Sequence, residues 1–339
     1  MDRQQDKRKF IILGDVMLGR GVNEVTRKAP PTHVWGNTLD IIKSADYSLI
    51  NLECALTYHE EQWDEFGKAF YFRADPGPAI AILRAANITC ACLANNHILD
   101  FREEGLVDTL HFLDRAGICR AGAGRNLAEA REPAYRDVGG LKVGLMAFTD
   151  NEPSFAAGHE SAGVNYVPIH VDTDQFNSLL ESVSEAKQAC DILIVSTHWG
   201  PNMVFRPSDE FREAAHRLVN AGADIIHGHS AHNFQGIEIY NGRPIMYSTG
   251  DFIDDYATDP IYRNDWSFIF VINLSGAEFE SIDLYPVRVL YAQTNLAIGM
   301  ESVLIVDRME SMCAEFNTRT VRQQNKLTIP IFEERARIA

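Results

Sequence analysis

Short apolar runs rich in β-branched residues alternate along the chain with stretches whose apolar positions recur every three to four residues, the pattern of strands alternating with helices in an α/β fold. Strands are predicted over residues 9–13, 47–52, 88–94, 141–148, 191–197 and 224–226. Each run stops on polar residues: Gly14-Asp15, Glu53, Asn95-Asn96-His97, Thr149-Asp150, His198, and His227-Gly228-His229. Helices are predicted over 78–86, 105–116, 174–189 and 209–221, the last two with Asp near the start, where the helix dipole favours it. Beyond His232 the pattern turns hairpin-like. Strands over 236–240 and 244–248 flank Asn241-Gly242, a strong two-residue turn signal, and further strands fall near 267–274 and 279–289. Residues 302–316 have helical spacing, and the charged, unpatterned remainder is expected to be only partly ordered. No repeat or linker divides the chain. The simplest organisation is one domain over 1–295 followed by a C-terminal helical extension over 296–339.

Composition removes several function classes. A chain of 339 residues with a 46% hydrophobic share is typical of a soluble globular protein. Its net charge of −16 argues against a nucleic-acid partner, because such binding is driven by Lys and Arg neutralising phosphates. No apolar run approaches the roughly 20 residues that span a bilayer, and the polar, charged start is unlike a signal peptide. The expectation is a cytoplasmic protein with neither a membrane nor a nucleic acid as partner, acting on a small molecule or peptide. The six cysteines show no C-x-x-C or zinc-ribbon spacing and read as free thiols, most of them in apolar segments.

In open α/β sheets, residues just beyond the carboxyl ends of the strands face one crevice. Here those residues are Asp15, Glu53, Asn96, His97, His198 and His229. Two carboxylates, an amide oxygen and imidazoles form a mixed oxygen and nitrogen donor set, suited to Mn, Fe, Zn or a similar divalent ion. Taken singly, each has an ordinary structural role open to it: Asp15 could cap the next segment, and Asn96 could serve a turn. Strand alternation points His227 away from the crevice, so it reads as a structural histidine. Arg20 is placed either to hold an anionic substrate group or on the surface, and Asp251, Asp254 and Asp255 read as a solvated acidic loop.

The motifs containing these residues are, in order, Gly14-Asp15-Val16-Met17-Leu18-Gly19-Arg20, Asn51-Leu52-Glu53, Ala94-Asn95-Asn96-His97, His198-Trp199-Gly200, Gly228-His229-Ser230-Ala231-His232 and Tyr247-Ser248-Thr249-Gly250-Asp251-Phe252. As an ordered set spanning about 10–289 they resemble the capsule-synthesis (CapA-type, poly-gamma-glutamate) branch of the calcineurin-like metallophosphoesterases. The resemblance implies a four-layer αββα sandwich with two mixed sheets. It also implies a centre for one or two metals, with Asp15 on the first, Glu53 as bridge, and Asn96, His198 and His229 on the second. His97 would sit beside the site as proton donor or electrostatic stabiliser, and His232 could return to the first metal. Departures also stand out, among them Ser230 and Asp251, where the capsule branch more often has His and Asn. Met17 occupies the position where hydrolytic members usually carry a histidine ligand, and His232 comes one place later than the usual Gly-His-x-His.

The function the resemblance implies is hydrolysis of a phosphoester or amide by a metal-activated hydroxide, with Asp15 and His97 as catalytic residues and Arg20 binding substrate. Met17 keeps a second reading open, metal-assisted acid/base chemistry on a peptide such as epimerisation. A third is a non-catalytic role in capsule or polyglutamate production.

Overall fold

A computed structural model describes residues 7–64 and 68–331. Its first strand, Lys7–Val16, shows how the sequence builds the layers, since successive side chains leave opposite faces of a sheet. Ile11 and Leu13 enter one apolar cluster, Phe10 and Ile12 another. The same split divides Leu141–Thr149, where Val143 and Leu145 face the second cluster and Met146 and Phe148 a third. Ile192–His198 follows suit, with Ile192 and Ile194 against Leu193 and Val195. Strands buried on both faces read as continuous apolar runs, as these do.

Three clusters separate four layers. A ten-stranded sheet runs Val321–Arg322, Leu327–Pro330, Glu278–Leu290, Trp266–Ser275, Lys7–Val16, Tyr47–Leu52, Cys90–Cys92, Cys119–Ala121, with Asp251–Ile253 added beside Lys7–Val16 and Gln293–Leu296 beside Glu278–Leu290. Its half from Lys7–Val16 to Cys119–Ala121 is parallel and its other half antiparallel. A six-stranded sheet runs Ile237–Tyr240, Arg243–Met246, Ile225–His229, Ile192–His198, Leu141–Thr149, Ala134–Val138, parallel at its centre and antiparallel at both edges. The two sheets enclose the second cluster. Helices Pro76–Ala85 and Arg102–Ala116 contribute to the first cluster, and Asp174–Gln188 and Asp209–Ala221 to the third. The architecture is the expected four-layer αββα sandwich with two mixed sheets.

The helices over 76–85, 102–116, 174–188 and 209–221 fall within a few residues of their expected bounds. The C-terminal region differs from expectation. Gly299–Ala314 is a helix, but Ile305, Met309 and Cys313 are buried in the inter-sheet cluster. Beyond it, Leu327–Pro330 pairs with Glu278–Leu290, and Leu327 and Ile329 are fully buried. Residues up to 331 are therefore built into the sandwich rather than appended to it. Short segments of alternating apolar residues are hard to recognise among flanking charges, which hides this strand in the sequence. The end of the tail, 332–339, lies outside the described residues. Among the described residues no helix is long and apolar enough to cross a membrane.

Candidate metal centre

The carboxyl ends of the central strands meet where the two sheets come together, and a histidine marks the contact. His227 is fully buried, with Nε2 3.0 Å from the Leu13 carbonyl and Nδ1 2.9 Å from Ser196 Oγ. It ties one sheet to the other and stays out of the donor set. Close approach is permitted by two glycines beside ligand positions. A Cβ on Gly14 would lie 1.8 Å from the Gly250 carbonyl oxygen, and one on Gly228 would lie 2.1 Å from that of Tyr247.

Asp15, Glu53, His198 and His229 are all essentially buried. Asp15 Oδ1 accepts from Asn51 Nδ2 at 2.7 Å and lies 3.7 Å from His229 Nδ1. His198 Nδ1 is 2.9 Å from His229 Nδ1, and His198 Nε2 is 3.8 Å from Glu53 Oε1. Two groups of donors have all their ligand atoms within 4.8 Å of one another: Asp15, His198 and His229, and Asp15, Glu53, His232 and Asp251. Asn96 lines a cleft together with His97 and His232.

Several buried oxygens here have no hydrogen-bond partner, namely Asp15 Oδ2, Glu53 Oε1, Asn96 Oδ1 and Asp251 Oδ2. Leaving such atoms bare in a native interior costs about 1–3 kcal/mol each, more when charged. Carboxylate and amide oxygens beside imidazoles are the donors that a divalent ion takes. The residues thus fit the metal that the resemblance implies. The electrostatics agree. Burial, with Asp251 facing it, pushes the Asp15 carboxyl up to about 7. Burial and the neighbouring Asp15 raise Glu53 well above the usual carboxylate range. Burial holds His198 and His229 well below an ordinary imidazole, so both are neutral and their lone pairs are available. His232 goes the other way: burial opposes its charge, but Asp251, Glu53 and Asp15 raise it to about 10.

His232 reaches the cluster despite its one-residue displacement. Ser230 at φ 100° and His232 at φ 58° absorb the extra residue in left-handed backbone, placing Nδ1 4.0 Å from Asp15 Oδ2 and 2.9 Å from Asp251 Oδ1. Such conformations cost non-glycine residues about 1–3 kcal/mol and cluster at functional sites.

His97 lies beside the donors, 8% exposed, stacked on Phe72 with ring centroids 3.9 Å apart. Its Nδ1 is 2.7 Å from Asp100 Oδ2, and Asp100 also contacts Lys68 Nζ at 3.1 Å and accepts from the Phe72 N–H at 2.6 Å. Nδ1 being taken, any proton exchanged with a substrate passes through Nε2. Burial lowers the basicity of His97 even with Asp100 beside it. A cleft of about 510 Å³ opens above these groups, lined among others by Arg20, Lys68, Phe70, Asn96, His97 and His232. Arg20 is fixed there by a 2.7 Å ion pair to Asp255 and lies 5.3–5.6 Å from the ring centres of Phe70, Phe72 and Tyr256. Trp199 packs on Phe211 and donates to the Tyr247 carbonyl at 2.9 Å.

Residues 9–256 match the family described as bacterial capsule synthesis protein PGA_cap. The chain belongs to that family. Among curated relatives, a probable polyglutamine synthesis accessory protein of Mycobacterium tuberculosis is 32% identical, covering 93% of each chain. The PGA biosynthesis protein CapA of Bacillus subtilis is 33% identical over 72% of this chain, which spans 62% of that protein's length. Two solved structures are distant matches. A hypothetical protein from Thermus thermophilus has a TM-score of 0.45 at 14% identity, covering 82% of this chain and 98% of that one. A purple acid phosphatase from yellow lupin has a TM-score of 0.36 at 10% identity, covering 89% and 56%.

In this PGA_cap chain Asp15, Glu53, His198, His229 and His232 lie in the two overlapping donor groups, and Arg20, Asn96, His97 and His232 line the cleft. The structure adds residues that sequence reasoning sets aside. Asp251 is no solvated loop residue: it is 0% exposed, in parallel register with Asp15. Asn51 and Asn95 form a chain behind the donors, Asn95 Nδ2 donating to Asn51 Oδ1 at 3.0 Å and Asn51 to Asp15. An Asn inside the apolar run 47–52 is the available signal, since a polar residue in a doubly buried strand needs a partner.

Proposed function

We propose that this chain is a metal-dependent hydrolase acting on a phosphoester or amide group of a small molecule or peptide. The observation that supports it is the set of partnerless buried oxygens on Asp15, Glu53 and Asn96, with Asp15 and Glu53 clustered with His198, His229 and His232, and with Asn96, His97 and His232 lining an open cleft. Divalent ions held by Asp15, Glu53, Asn96, His198, His229 and His232 would supply Lewis acidity and lower the pKa of a water nucleophile. The chain's own residues do the rest. His97, oriented by Asp100 and protonated on both ring nitrogens, gives its Nε2 proton to the leaving group; Arg20, braced by Asp255, receives an anionic part of the substrate.

The test is turnover by chelator-treated protein reloaded with Mn2+, Fe2+ or Zn2+ on p-nitrophenyl and alkyl phosphodiesters and on amide analogues. Hydrolysis is expected. His97→Ala should lower kcat by roughly 100-fold on an alkyl ester and far less on the p-nitrophenyl ester, whose leaving group needs no proton. No hydrolysis of any ester or amide by fully loaded protein would overturn the reading. Met17 favours a second one, acid/base chemistry beside a peptide carbonyl, for which solvent deuterium would enter the substrate without cleavage.

A further inference from the structure

Met17 stands where the resemblance calls for a histidine ligand, and its side chain is occupied elsewhere: it is fully buried, and its sulfur accepts from the Gly19 N–H at 3.0 Å. On the neighbouring strand the opposite has happened. Asp251 pairs in parallel register with Asp15, is fully buried, and carries an Oδ2 with no hydrogen-bond partner, as do Asp15 Oδ2 and Glu53 Oε1. Donor atoms of Asp15, Glu53, His232 and Asp251 all lie within 4.8 Å of one another. Three buried carboxyls share this small volume with a single imidazole, and a divalent cation is the charge that would let them ionise together. The other group of donors has another character, joining Asp15 to two imidazoles whose Nδ1 atoms are 2.9 Å apart.

We propose that Asp251 is itself a metal ligand, completing with Asp15, Glu53 and His232 an oxygen-rich half-site that Met17 would otherwise leave one donor short, and that this half-site discriminates less against Mn2+ relative to Zn2+ than does the histidine-rich half-site of Asn96, His198 and His229. Carboxylates suit Mn2+, whereas imidazole suits Zn2+. The inference rests on the two-ion reading above, but its readout is metal binding rather than turnover.

The experiment uses the full chain, stripped with chelator and titrated with Mn2+ and separately with Zn2+. Elemental mass spectrometry gives the stoichiometry and calorimetry the affinities, with circular dichroism confirming the fold. Wild type should take two ions. Asp251→Ala should lose one Mn2+ or bind it at least about 10-fold more weakly, with Asp251→Asn as the milder variant should the first not fold. His198→Ala should weaken the other site, and Zn2+ more than Mn2+. Because Asp251 also hydrogen-bonds His232 at 2.9 Å, a purely orienting role is separated by the double variant. If Asp251 is a ligand, Asp251→Ala in the His232→Ala background weakens Mn2+ a further 10-fold or so; if it only orients His232, nothing more is lost. Unchanged binding in Asp251→Ala, no further loss in the double variant, fewer than two ions in wild type, or the same Mn2+/Zn2+ preference at both half-sites would overturn the proposal. Failure of the hydrolase reading looks different: two ions bound and no turnover.

Discussion

Asp15 is the residue on which burial and chemistry conflict most sharply. Its carboxyl titrates near 7 in the metal-free fold because burial and Asp251 disfavour its charge, against an ordinary value of 3.8 in the unfolded chain. The folded state therefore holds the proton more tightly, and stability is lost as pH rises from about 4 to about 7, the window between those two values. Chelator-treated Asp15→Asn should accordingly be more stable than chelator-treated wild type at pH 8, by at least about 1 kcal/mol, with the difference vanishing toward pH 4. Thermal unfolding across that range checks it. Adding Mn2+ should reverse the order at pH 8, because the ion requires the ionised carboxylate. Asp15, Glu53, His198 and His229 were legible in the sequence because each ends a strand. Asp251 and Asn51 were not: an acidic residue after a loop and a lone amide in an apolar run become meaningful only when the neighbouring strand is known.

At the scale of elements, the site depends on how closely strand ends can approach. The backbone of 247–250 passes over Gly14 and Gly228 with no room for a methyl group. Gly228→Ala should cost about 2 kcal/mol or more through the forced backbone shift and weaken metal binding through its neighbour His229, readable by denaturant unfolding and metal titration. Elsewhere the elements follow local rules. Ser208 accepts the Phe211 N–H at 3.3 Å as the N-cap of Asp209–Ala221, so Ser208→Ala should cost only about 1 kcal/mol and leave metal content unchanged. The long amphipathic helices and doubly buried strands were readable because their periodicity is strong. The strand Leu327–Pro330 was not, being four residues long in a charged stretch.

Over the whole molecule, that last strand lies inside the larger sheet, between Glu278–Leu290 and Val321–Arg322. Leu327 and Ile329 fill the cluster between the sheets, and Lys326 and Thr328 both bond Asp283. A chain stopped after Asn317 should thus lose several kcal/mol, at about 1.5–3 kcal/mol per buried aliphatic side chain, and show a clearly lower unfolding midpoint. An unchanged midpoint would mean the segment is an appendage after all. By itself the sequence determined the alternation of strands and helices, the polar residues at strand ends, and hence most of the donor set, since these follow from periodicity and from the rule that ligands gather at carboxyl ends. Tertiary structure alone decided that Asp251 joins Asp15, that left-handed backbone at Ser230 and His232 cancels a one-residue displacement, and that the C-terminal strand belongs to the core. Those outcomes depend on which strands become neighbours and how near they pass, and contacts between residues far apart along the chain leave no local pattern in it.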